Sequence, residues 1–201
     1  MVKNRFSAII FDLGNVFVRV DPTHAIQALE RSSDLKYNDI HSYFTSSKTM
    51  QLYEKGILTN QQFYRKVVTD LDISVSIDRF KELWQSVLFP VKPMIYFLSE
   101  VRYQYPCYLL SNTNDWHIEY CERKFLFLKW FKQLFYSYRL GLSKPDPAIY
   151  KKILRLSNLQ ADQTLFIDDN QDNIQTAMHL GMQTIHFTGH ARFLRVWESL
   201  H

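Results

Sequence analysis

The run Ala8-Ile9-Ile10-Phe11, halted by Asp12 and followed by Leu13-Gly14-Asn15-Val16, constrains this chain more than any other segment. Its β-branched and aromatic residues show no polar alternation, the pattern of a strand covered on both faces of a parallel sheet. A carboxylate at the end of such a strand can serve as a nucleophile. Turns also begin with aspartate, so Asp12 alone decides little.

Three later segments change that balance. Tyr108-Leu109-Leu110 is a second apolar strand, followed at once by Ser111-Asn112-Thr113-Asn114. Ser143-Lys144-Pro145-Asp146-Pro147 precedes a helical pattern and sets a lysine between small and rigid neighbours. Thr164-Leu165-Phe166-Ile167 is a third buried strand, running into Asp168-Asp169-Asn170 and a further helix. Each residue also has a plainer use: Ser111 or the acidic pair could cap a helix, and Lys144 could be a solvated loop lysine.

Strands are expected at about 7–11, 107–111, 134–138, 164–167 and 183–187, alternating with helices after the second, which predicts βαβ units and a parallel sheet. Between the first two strands, residues 17–92 read as several helices. Asp21-Pro22 looks like a cap and first-turn proline, Thr59 and Ser76 can cap later helices, and Pro93 starts the helix that leads back to the sheet. Gly56 and Gly181 are plausible helix stops.

A chain of 201 residues, 46% hydrophobic and 22% charged, suits a soluble core domain carrying a smaller insert. The net charge of +4 is spread without a basic run, which favours small anionic substrates over nucleic acid. Lys124, Lys129 and Lys132 lie among aromatics but read as the solvated edge of core packing. Cys107 and Cys121 lack the grouping of a zinc site or a disulfide scaffold. The first apolar run stops at Asp12, so neither a signal peptide nor a membrane span is expected, and the cytoplasm is the default location.

In all four motifs and in their order, the chain resembles the haloacid dehalogenase (HAD) superfamily of hydrolases. Phe11-Asp12-Leu13-Gly14-Asn15-Val16, Leu110-Ser111-Asn112-Thr113-Asn114 and Ile167-Asp168-Asp169-Asn170 are most similar to the sugar-phosphate phosphatases related to bacterial α-glucose-1-phosphatase. The resemblance implies an α/β fold with a Rossmann-like parallel core, residues 1–16 and 93–201, and an inserted all-helical cap, residues 17–92. His24, Tyr43, Tyr53 and Glu54 could meet substrate from that cap, and each could equally pack or face solvent.

The sheet would gather Asp12, Ser111, Asp168 and Asp169 at one rim. Three carboxylates within about 4 Å would repel by roughly 4 kcal/mol per pair at an effective dielectric of about 20, so cations must hold them together. Lys144 offsets part of the charge, and hard oxygen donors favour Mg²⁺ for the rest. By resemblance the metal ligands would be Asp12, the Gly14 carbonyl and Asp169, with Asp168 direct or through water and Asn173 orienting them. Asp12 would attack phosphorus to form an aspartyl phosphate, while Ser111, Lys144, Asn112 and the Leu13 N–H hold the phosphoryl oxygens.

The implied activity is a Mg²⁺-dependent phosphatase acting on a small phosphorylated metabolite, a sugar phosphate first of all. Superfamily phosphatases carry a second aspartate two positions after the nucleophile, and here that position is Gly14. The closest subset also has glycine there. The namesake dehalogenases lack that acid too, but need no metal, and the paired Asp168 and Asp169 speak against them. A catalytically silent binding protein is the third reading. The oligomeric state is left open.

Overall fold

The apolar runs at 8–11, 108–110 and 165–167 become central strands of one sheet. The computed structural model describes residues 6–200. Lys3 and Arg5, residues 1–5 of the expected core and His201 lie outside the described residues. The chain begins with β1 (Ala8–Phe11) and β2 (Val18–Val20), then α1 (Thr23–Glu30), α2 (Tyr37–Ser46), α3 (Lys48–Glu54), α4 (Asn60–Asp70) and α5 (Ile77–Gln85). It returns through β3 (Leu88–Pro90) and α6 (Lys92–Val101) to β4 (Cys107–Ser111), α7 (Asp115–Lys124) and β5 (Gln133–Tyr136). The remainder is α8 (Ser137–Leu140), α9 (Pro147–Ser157), β6 (Thr164–Asp168), α10 (Gln171–His179), β7 (Gln183–His186) and α11 (His190–Ser199).

Five strands form a parallel sheet in the order β5-β4-β1-β6-β7. From β1 the chain steps outward to β4 and β5, then crosses to the opposite side of β1 for β6 and β7. The strand order therefore reverses between β1 and β6, and at such a point an open α/β sheet forms a crevice beyond its carboxyl ends. Burial on both faces explains the missing alternation. Ile9, Phe11, Leu109 and Ile167 pack against Met94, Leu98 and Phe193, while Ala8, Ile10, Leu110 and Phe166 pack against Ile149, Ile153 and Ile174.

The interval 17–92 holds five helices, with one addition to the sequence reading. β2 and β3 pair antiparallel, Arg19 opposite Phe89, at the two crossings between this interval and the sheet. Each strand has only three residues and β3 ends on a proline, too little for a periodic signal. Thr59 and Ser76 cap α4 and α5 as expected. Pro22 does not open the first turn of α1; it takes the cap position, and the Asp21 carboxylate accepts from the Thr23 N–H at 3.2 Å. The strand expected at 134–138 ends at Tyr136, because the Ser137 side chain turns inward and α8 begins.

Gly56 follows α3 with φ of 69°, and a Cβ there would lie 2.1 Å from the Tyr138 carbonyl oxygen. Only glycine permits that approach between the end of α3 and α8. The aromatics among Lys124, Lys129 and Lys132 turn inward: Phe127 and Phe131 are buried, with ring centroids 5.6 Å and 5.5 Å from that of Phe17. Among the described residues, no helix is long and apolar enough to cross a membrane.

Candidate active site

β1 and β6 pair with Phe11 opposite Ile167, so Asp12 and Asp168 emerge side by side where the strand order reverses. Lys144 joins them. Its Nζ lies 2.6 Å from Asp12 Oδ1 and 2.6 Å from Asp168 Oδ2, and donates to the Leu110 carbonyl at 3.0 Å. All three ammonium protons therefore have acceptors. The Lys144 side chain is 2% exposed, which excludes a solvated loop lysine.

Asparagines build the frame around this cluster. Asn112 fixes the backbone of Lys144 at both ends, its Oδ1 accepting from the Lys144 N–H and its Nδ2 donating to the Lys144 carbonyl, each at 2.8 Å. The Asn112 side chain thus orients the lysine, and it keeps a second amide proton on the wall of the adjoining cavities. Asn173 Nδ2 donates to both Asp168 oxygens at 2.9 and 3.1 Å, and the Asn170 N–H adds a third bond at 2.8 Å. Asn15, in the left-handed region at φ of 53°, donates to Asp169 Oδ2 at 2.8 Å and accepts from the Val20 N–H at 3.3 Å.

Helix capping does not account for these residues. Asn114 caps α7 and Asn170 caps α10, so neither Ser111 nor Asp169 fills that place. Ser111 is buried at the end of β4, where it lines a small cavity with Leu13 and Gly14; among the described residues its Oγ has only a long contact, 3.4 Å, to the Asn112 carbonyl. A Cβ on Gly14 would meet Asp12 Oδ2 at an ordinary 3.6 Å, so space does not require glycine there. The Gly14 carbonyl accepts from the Val16 N–H at 2.7 Å and retains one lone pair.

Burial pushes the Asp12 carboxyl up to about 7 against the pull of Lys144, with Asp168 and Asp169 adding to the rise. Burial pulls the Lys144 ammonium down, but Asp12 and Asp168 outweigh it and hold it above the usual lysine range. Oxygens of Asp12, Asp168 and Asp169 all lie within 4.8 Å of one another. Three carboxylates against the one ammonium that bridges two of them leave a formal surplus of two negative charges. An oxygen-only donor set with that surplus fits a hard divalent cation.

A lysine-bridged carboxylate cluster thus lies at the reversal point of a parallel α/β sheet, and comparison with known proteins gives its class. The family of haloacid dehalogenase-like hydrolases matches residues 6–181. The chain is 30% identical to D-ribitol-5-phosphate phosphatase of Bacteroides thetaiotaomicron, over 92% of this chain and 91% of that protein. It is 25% identical to a sesquiterpene phosphatase of Aspergillus oryzae, over 91% and 90% of the two chains. A HAD family enzyme of Bacteroides thetaiotaomicron, solved in complex with magnesium and inorganic phosphate, superposes with a TM-score of 0.81 at 26% identity, covering 90% of this chain and 93% of that one. The chain belongs to the haloacid dehalogenase-like hydrolases.

Proposed function

We propose that the protein is a Mg²⁺-dependent phosphatase hydrolysing a small phosphorylated metabolite, a sugar or polyol phosphate first of all. The observation that carries this reading is Lys144 bridging Asp12 and Asp168 at 2.6 Å each, with Asp169 alongside. The similarity to D-ribitol-5-phosphate phosphatase and to a structure holding magnesium and phosphate supports it.

In this reading Asp12, the Gly14 carbonyl, Asp168 and Asp169 hold the cation, which when bound supplies positive charge to the phosphoryl group. Asn173 and Asn15 keep Asp168 and Asp169 in position. Asp12 attacks phosphorus and takes the phosphoryl group as an aspartyl phosphate, which water then hydrolyses. Lys144 and Ser111 hold phosphoryl oxygens, with the Leu13 N–H and the backbone at Asn112. Residues 17–92 act as a cap over the core of residues 1–16 and 93–201, excluding water and shaping the leaving-group space. The metabolite is the partner, not nucleic acid or a membrane. The cytoplasm is the proposed compartment, in keeping with the free, buried thiols of Cys107 and Cys121.

Phosphate release from p-nitrophenyl phosphate and a panel including ribitol 5-phosphate, with and without EDTA, tests the reading. Turnover that EDTA abolishes and Mg²⁺ restores is expected. Metal-independent release of chloride from 2-chloropropionate would replace it with dehalogenation. Inactivity on both panels would leave a binding protein.

A further inference from the structure

Gly14 leaves the site without the carboxyl that other superfamily phosphatases place beside the nucleophile. Resting on the phosphatase reading above, we infer that Glu54, at the carboxyl end of α3, is the acid that protonates the departing alcohol and the base that deprotonates the attacking water.

Two contacts bring Glu54 to the strand-end loops. The buried Ser137 Oγ donates to the Glu54 carbonyl at 2.6 Å, lies 3.1 Å from the Thr113 carbonyl and accepts from the Thr113 N–H at 2.9 Å. Two residues on, Gly56 sits against the Tyr138 backbone at a distance no side chain would allow. The end of α3 is thereby held beside the loop that follows Ser111.

Glu54, Asn112 and Thr113 line a largely apolar cavity of about 220 Å³ between α1, α2, α5 and the loop after β4. The smaller cavity touched by Leu13, Gly14 and Ser111 has Asn112 and Thr113 in its wall as well. The two cavities share Asn112 and Thr113 as wall residues, which sets the space beside Glu54 next to that on the phosphoryl side. The Glu54 carboxyl has no hydrogen bond or ion pair among the described residues, and burial raises its pKa while the Lys144 charge lowers it. A partly buried carboxyl without partners, yet within the field of the lysine that holds Asp12, is suited to exchanging a proton.

Of the other titratable groups on this cavity, His117 is engaged through both ring nitrogens. His117 places Nε2 2.9 Å from the Trp84 carbonyl and Nδ1 3.2 Å from Asn114 Nδ2, and burial lowers it to about 4. His41 stacks on Tyr37 of its own helix.

In the first step an Asp12 oxygen bonds to phosphorus, the ester P–O bond breaks, and the alcohol oxygen takes the proton of the Glu54 carboxyl. In the second, water bonds to phosphorus, its proton passes to the Glu54 carboxylate, and the bond from phosphorus to Asp12 breaks. Phosphate leaves, and both side chains regain their starting states.

The test is kcat/KM of Glu54→Gln and Glu54→Ala on two substrates, because that ratio reports only steps up to alcohol release. For ribitol 5-phosphate, or the primary alkyl phosphate that wild type turns over fastest, a fall of about 10²- to 10⁴-fold is expected. For p-nitrophenyl phosphate, whose leaving group needs no proton, the fall should stay within about threefold. Equal losses on both substrates, or none on the alkyl phosphate, would overturn the role of Glu54. Wild-type turnover abolished by EDTA would leave the phosphatase reading standing in either case. The carboxyl makes no structural bond, so both variants should keep the wild-type thermal midpoint.

Discussion

The rim of the sheet and the helical interval above it face the same space with opposite chemistry. At the rim Lys144 has an acceptor for every proton, and Asp168 accepts three hydrogen bonds from Asn173 and Asn170 besides that from Lys144. Above it the cavity wall is Ile26, Leu29, Phe44, Met50, Leu83 and Val87, with Glu54 carrying an unpaired carboxyl. Charge that must be stabilised throughout the reaction is fixed on the sheet, whereas the group that must gain and lose a proton is left unbonded on a helix.

Asp12→Asn should separate the two regions most sharply. It removes the nucleophile while relieving surplus negative charge, so turnover should fall by about 10⁴-fold or more with little change in thermal midpoint. Residual turnover within tenfold of wild type would shift the chemistry away from the rim. Lys144→Met should cost both activity and about 3–5 kcal/mol of stability in urea denaturation, because Asp12 and Asp168 would remain buried without their cation. A midpoint equal to wild type would mean the network is not holding the rim together.

Gly56→Ala should act on the upper region alone. The added Cβ meets the Tyr138 carbonyl at 2.1 Å on a backbone at positive φ, so a loss of about 1–3 kcal/mol is expected, with a higher KM. An unchanged KM would show that the end of α3 does not shape the site. The mildest test is pH. Burial holds His117 at about 4, below its ordinary 6.5, so the unfolded chain binds the extra proton first as pH falls. Its contribution is complete above 6.5 and is lost progressively towards 4, by about 1–3 kcal/mol in all. Asp12 titrates in the same range with the opposite sign in both proteins, so the change in urea midpoint from pH 7 to pH 5 should be less favourable in wild type than in His117→Gln; an equal change in both would exclude His117.

The sheet could be read from the sequence because strands buried on both faces leave unbroken apolar runs, and three of the four site motifs sit at the end of one. Asp12, Ser111, Asp168 and Asp169 were legible for that reason, and Lys144 because it stands between small and rigid neighbours ahead of a helix. The ribbon of β2 and β3 was not, since three residues carry no period. The orienting role of Asn15 is equally hidden, because its bond to Asp169 spans 154 positions. Ser137 shows the same limit: the bond that sets Glu54 beside Thr113 joins residues 83 positions apart, and nothing local distinguishes it from any turn serine.

Acid quenching during turnover, followed by peptide mapping, reads the central event without depending on which metabolite is physiological. With Mg²⁺ and p-nitrophenyl phosphate, a phosphoryl group should be trapped on the peptide containing Asp12 and be absent from Asp12→Asn. A phosphoryl group on any other residue, or steady turnover with no trapped species on Asp12, would contradict a nucleophile held at this rim by Lys144.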